Sequence, residues 1–116
     1  MAGKRVLVVD DDWSAREILS LSLRKAGFGV QTAAGGIEAL ELLKNSPFDW
    51  LLTDAHMKPM DGFELTKLAK TLRPNLRVAM ISAIHTGETP LPDGAIETFF
   101  PKPVAIEELA RTLASA

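Results

Sequence analysis

The chain has no cysteine, so neither a disulfide framework nor a thiolate metal site is open to it. It has no long apolar stretch either. The amino-terminal Met-Ala-Gly-Lys-Arg leads into the short run Val6 to Val9, too brief for a signal-peptide core or a membrane span. Nor is there an excess of cations: 13 Lys and Arg stand against 15 Asp and Glu, and the pI near 5.6 leaves no electrostatic footprint for nucleic acid. These absences predict a cytoplasmic protein that contacts neither nucleic acid nor membrane directly. With 116 residues, 47% hydrophobic and 24% charged, residues 1–116 read as a single domain able to bury one core.

What the chain does have is an alternation. Short apolar runs at Lys4–Val9, Val30–Ala33, Trp50–Thr53, Arg77–Ile81 and Glu97–Phe100 read as strands, and amphipathic stretches between them as helices. The first helix is expected to start on a capping box of Ser14 and Glu17, with Asp12 as a rival cap. Its apolar stripe is Ala15, Leu19, Leu23 and Ala26, and Gly27 stops it. The second is Ile37–Lys44. The third, Phe63–Leu72, carries Leu65, Leu68, Ala69 and Leu72 at helical spacing, and the last, Ala105–Ala114, carries Ile106, Leu109, Ala110 and Leu113. Such alternation implies right-handed crossovers and a doubly wound parallel α/β sheet. Trp50 is assigned to the core; Trp13 is either a partly exposed lid beside the acids or a packing residue of the first helix.

Two strands end in acid. Asp54 closes Trp50-Leu-Leu-Thr-Asp54, where a carboxylate either caps a turn or faces a ligand bound at the strand ends. Val6-Leu-Val-Val-Asp10-Asp11-Asp12 decides between these. Like charges about 4 Å apart repel by about 4 kcal/mol at an effective dielectric near 20, so adjacent carboxylates call for a cation. Oxygen ligands from neighbouring strand ends suit Mg²⁺, which completes its octahedron with water and phosphate oxygens. Ser82 ends the fourth strand and Lys102 follows the fifth, adding a hydroxyl and an ammonium to the same edge. The set reads as a phosphoryl site.

These residues, in this order, resemble the receiver domains of two-component response regulators. The resemblance runs from Val6 to Leu113 and rests on Val8-Val9-Asp10-Asp11, on Asp54 followed by Met57 and Met60-Asp61-Gly62, on Ser82-Ala83 and on Lys102-Pro103. It implies a flavodoxin-like fold with five parallel strands in the order 2-1-3-4-5, which sets Asp10, Asp11 and Asp54 side by side. It implies that Asp54 is the phosphoacceptor, attacking the phosphohistidine of a sensor histidine kinase or histidine phosphotransfer protein. The resemblance also assigns Mg²⁺, for which Mn²⁺ can substitute, to Asp11 directly, Asp10 through water, Asp54, and the main-chain carbonyl of His56. Lys102 would pair with the acceptor and then with the phosphoryl oxygens. The Ser82 hydroxyl would move to the phosphoryl group and Phe99, the switch aromatic, would turn inward after it. Phosphorylation would then switch binding of a downstream protein target or output domain. The domain is expected to assist its own phosphorylation and dephosphorylation rather than turn over a substrate.

Departures from the family pattern carry expectations too. The loop after the acceptor reads Met57-Lys58-Pro59-Met60, with the proline one place late. The residues two beyond acceptor and hydroxyl, which border the path of hydrolytic water in receivers, are His56 and Ile84; a branched apolar side chain cannot orient water, so autodephosphorylation should be slow. The His56 imidazole is expected to be a solvated loop side chain. Between Ser82 and Phe99 the chain is about two residues shorter than the family norm and holds Gly87, Pro90, Pro92 and Gly94, so the family's fourth helix should be degenerate or missing. A dimer through that helix would lack half its interface, favouring a monomer or signalling through the first or last helix. Two rival functions remain at this point. A phosphorylation-independent docking module is opposed by the intact polar set. A haloacid-dehalogenase-like phosphohydrolase, suggested by Asp10-x-Asp12, is opposed by the size of the chain and the missing late acidic pair.

Overall fold

The structure, a computed structural model, describes residues 3–83 and 94–115. In chain order the elements are β1 (Arg5–Val9), α1 (Trp13–Lys25), β2 (Gly29–Ala33), α2 (Gly36–Asn45), β3 (Trp50–Asp54), α3 (Gly62–Leu72), β4 (Arg77–Ser82), β5 (Thr98–Pro101) and α4 (Ile106–Ala114). The strands form one parallel sheet in the order β2-β1-β3-β4-β5, as the resemblance implied. Ile84 and residues 85–93, where the degenerate helix was expected, lie outside the described residues.

Two-residue periodicity divides the core. Along β1, Val6 and Val8 face one side of the sheet with Trp50, Leu52, Ala79 and Ile81, and there α1 and α4 bury Leu19, Leu23, Leu109 and Leu113. Leu7 and Val9 face the other side, where α2 and α3 supply Ala39, Leu43, Leu65 and Ala69. The central strand β3 is buried at every position, while the edge strand β2 alternates. Pro101 is tolerated because β5 is the opposite edge and needs no further ladder donor there.

The helix faces differ in detail from those expected of the apolar spacing. Asp12, not Ser14, caps α1: its Oδ1 accepts the Ser14 N–H at 3.1 Å. The capping-box spacing was present, but the acid two residues upstream reached the first-turn amide first. Ala26 is the exposed C-cap rather than part of the buried stripe, and Gly27 follows with φ of 102°, a conformation that favours glycine. In α3 the buried residues are Gly62, Leu65, Thr66 and Ala69, so Leu68 and Leu72 lie outside the stripe assigned to them and are partly exposed. Thr66 takes the inner position because its hydroxyl donates to Gly62 O at 2.8 Å and needs no external partner. Trp13, the first residue of α1, is 65% exposed and so is not a packing residue.

The amino ends of the strands collect cations. Arg77 stacks on the fully buried Trp50 at 4.3 Å, pairs with Glu97 at 2.9 Å and donates to Ser115 O. Lys4 also donates to Ser115 O, and Arg5 covers Phe48. The Trp50 indole donates to Leu113 O at 2.9 Å, tying the start of β3 to the end of α4.

Candidate functional site

At the opposite edge every parallel strand delivers its carboxyl end, and β1, β3 and β4 sit adjacent. Asp10, one residue past β1, is 1% exposed; its Oδ1 accepts the Asp12 N–H at 2.9 Å. That bond folds the chain back so that Asp11 projects into solvent. Asp54, the last residue of β3, is 6% exposed, and both its oxygens are engaged: Oδ1 by the His56 N–H at 3.1 Å, Oδ2 by Lys102 Nζ at 3.0 Å. Oxygens of Asp10, Asp11 and Asp54 all lie within 4.8 Å of one another.

Lys102 arrives here because its N–H continues the β4–β5 pairing, donating to Ser82 O at 3.1 Å. Burial works against its charge, but the hydrogen bond and charge of Asp54, with Asp10 and Asp12 behind, outweigh burial and raise its pKa above 10.5. The Asp10 carboxyl is also pushed up, first by burial and then by the charges of Asp54 and Asp11, against the Asp12 N–H and Lys102. The site thus holds more negative charge than one ammonium offsets. A hard divalent cation with oxygen ligands fits this donor set: carboxylates from two strand ends, one reaching solvent, with room for water.

Of the predicted residues, Asp10, Asp11, Asp54 and Lys102 are brought together, and two contacts that the sequence did not suggest lie beside them. Ser82 is 3% exposed at the end of β4, and its Oγ lies 3.2 Å from His56 Nε2. The His56 side chain is exposed, but it is not merely solvated as expected. Its partner is 26 residues away, and no local pattern in the sequence joins them. Arg16 was also missed: its Nη1 donates to Asp10 O at 2.7 Å, holding the β1–α1 turn from the first turn of the helix. Phe99 is half-buried on β5 and packs against the core beneath α2 and α3, its ring centroid 6.4 Å from that of Phe63. Beside the acids a groove of about 370 Å³ runs between α1 and the β5–α4 connection, lined among others by Ile18, Lys102, Pro103, Val104 and Ile106. Asp12, the second acid of the phosphohydrolase-like pair, is spent on the α1 cap.

Residues 6–114 match the family described as the response regulator receiver domain. The chain belongs to that family. The receiver is 38% identical to the transcriptional regulatory protein ZraR of Klebsiella oxytoca over 121 aligned residues, covering 100% of this chain and 27% of that protein. It is 35% identical to the response regulator MprA of Mycobacterium sp. (strain KMS), covering 90% of this chain and 46% of that one. The receiver therefore spans less than half the length of these curated relatives. Among solved structures, the chemotaxis protein CheY4 of Vibrio cholerae superposes with a TM-score of 0.84 at 31% identity, each chain 97% covered. The response regulator TrrA of Thermotoga maritima, solved with Mg²⁺ and BeF, gives 0.86 at 26% identity, with 95% of this receiver and 96% of TrrA covered. The phosphohydrolase and docking-module readings find no support in these likenesses. No described helix of the receiver is long and apolar enough to cross a membrane.

Proposed function

We propose that Asp54 is the phosphoacceptor of this receiver, in the cytoplasm, with residues 1–116 working as one domain. The observation that carries the proposal is the pairing of buried Asp54 Oδ2 with Lys102 Nζ at 3.0 Å, inside a cluster of three carboxylates. A carboxylate oxygen attacks the phosphorus of a phosphohistidine on a sensor kinase or phosphotransfer protein. The P–N bond breaks, and the imidazole nitrogen leaves with the electron pair and takes up a proton. Phosphoryl transfer asks mainly for alignment and charge neutralisation, so the work of the other residues is to hold and neutralise. Lys102 moves with little displacement from the carboxylate to the phosphoryl oxygens, and Ser82 donates to one of them. Asp10, Asp11, Asp54 and the His56 carbonyl would hold Mg²⁺ or Mn²⁺, which when bound neutralises charge shared between the carboxylates and the phosphoryl oxygens. Phe99 follows Ser82 and changes the surface offered to a downstream protein target or output domain.

Incubation with acetyl phosphate and Mg²⁺, read by intact mass, should add one phosphate to the wild type and none to Asp54→Asn. Phosphate persisting on that variant would falsify the assignment. Asp11→Asn should instead weaken Mg²⁺ binding. His56 and Ile84 set the lifetime of the adduct, and Ile84→Asn should shorten it several-fold; an unchanged half-life removes Ile84 from this role. The receiver acts as a monomer or through its first or last helix. A phosphorylation-dependent dimer disrupted by changes at Leu91 would overturn that.

A further inference from the structure

We propose that His56 is a positioning residue that latches Ser82, holding its hydroxyl in the resting arrangement and opposing its capture by the phosphoryl group. This deepens the function proposed above and rests on Ser82 being the hydroxyl that meets the phosphoryl oxygens. The two side chains come from different strand ends, His56 from the turn after β3 and Ser82 from the last position of β4. Nε2 and Oγ lie 3.2 Å apart, within hydrogen-bond reach.

Three features make the contact a latch. The backbone on both sides is fixed: the His56 N–H is bonded to Asp54 Oδ1, and Ser82 O accepts from Lys102 N. The imidazole is therefore held by its main chain to the carboxylate that would be phosphorylated, while its ring is bonded to the hydroxyl that would respond. The hydroxyl is buried, 3% exposed, so its bond to the ring is shielded from competing water. Finally, phosphoryl oxygens only accept, so Ser82 must present its single proton to them. If Oγ donates, Nε2 holds the single proton that the phosphoryl oxygens need; if Nε2 donates, the bond tethers Oγ to a ring outside the acid cluster, so in both cases it opposes capture. A net hydrogen bond of ordinary strength alters an equilibrium by about threefold to tenfold, and that is the size of the effect expected on capture of a phosphoryl mimic.

The same bond gives the residue two beyond the acceptor a way to act on activation itself, separate from any influence on hydrolytic water. Removing the ring should make the active arrangement easier to reach even where no hydrolysis occurs.

The test uses beryllofluoride at saturating Mg²⁺, which mimics the phosphoryl group and does not hydrolyse, with affinity read from Trp13 fluorescence and checked by fluorine NMR. His56→Ala should bind beryllofluoride about threefold to tenfold more tightly than the wild type. His56→Gln, which can return a polar atom to the ring nitrogen's place, should restore affinity toward the wild-type value. In a Ser82→Ala background the His56→Ala change should have no effect, because the latch has nothing to hold; a merely structural role for His56 would persist there. Equal or weaker binding by His56→Ala, or an equal effect with and without Ser82, overturns the latch. Failure of the underlying reading looks different: wild type that does not bind beryllofluoride, or Asp54→Asn that binds it equally well, removes the phosphoryl site and the latch with it.

Discussion

A Cβ placed on Gly62 would lie 2.3 Å from the carbonyl oxygen of Asp54. The first residue of α3 therefore touches the end of β3 backbone to backbone, and the Gly62 N–H donates to Ala55 O at 3.0 Å. The seven residues of loop between Asp54 and Gly62 are closed by this contact, which fixes the main chain at the carboxyl end of β3. Gly62→Ala should destabilise the fold by about 1 to 3 kcal/mol, because the clashing partner is backbone and cannot rotate away. Urea unfolding would show it; a loss below about 0.5 kcal/mol would mean the loop yields easily.

Lys102 Nζ holds Asp54 Oδ2 at 3.0 Å, so under the proposed function it would compete with a divalent ion for that carboxylate. Lys102→Ala should slow phosphorylation by acetyl phosphate by roughly a hundredfold, since one preorganised donor to the developing charge is gone. The same change should tighten Mg²⁺ binding, because the acids lose their resident cation. Fluorescence titration and phosphorylation kinetics on one sample separate the two effects, and weaker Mg²⁺ binding would contradict the competition.

Much of this site was legible in the sequence because it is built from strand ends. Apolar runs stopping at Asp10, Asp54 and Ser82 name three positions that a parallel sheet must bring to one edge, and Lys102 follows from the same logic. Helix faces were less legible. Leu68 and Leu72 fit an apolar stripe as well as Thr66 does not, yet Thr66 is buried, because an internal hydrogen bond removes the cost of its hydroxyl. Contacts between separate loops left no trace at all: nothing in the local pattern joins His56 to Ser82 or aims Arg16 at Asp10 O.

Acid at the site costs stability when no ion is bound. Burial, with the charges of Asp54 and Asp11, raises the Asp10 carboxyl above its ordinary 3.8. A raised pKa means that the folded state favours the protonated form; this advantage is complete below the ordinary value and is lost as pH rises through the raised one. Asp10→Asn keeps the acceptor for the Asp12 N–H but carries no charge. In Mg²⁺-free buffer it should raise the melting midpoint by a few degrees at neutral pH, with the gain fading as pH falls through the raised value and gone below 3.8. A gain that stays constant with pH would point to packing rather than charge.

Trp50 anchors the amino end of β3 to the end of α4. Trp50→Phe deletes the donor to Leu113 O, leaves a void and shrinks the aromatic surface on which Arg77 stacks. Unfolding experiments should register a loss of about 2 to 4 kcal/mol. A loss under about 1 kcal/mol would mean that α4 repacks onto the smaller ring.

All five strands run the same way, with Asp10, Asp11, Asp12 and Asp54 against Lys102 at one rim and Lys4, Arg5 and Arg77 against Asp49 and Glu97 at the other, so negative charge prevails at the first rim of the molecule and positive charge at the second. The negative rim draws a divalent ion but repels an incoming phosphodonor, itself an anion. The donor therefore approaches against the field until counterions or a bound metal collapse it. Under the proposed function, dissolved salt should speed the encounter with a small anionic phosphodonor and slow the arrival of the metal, shifting the balance between the two.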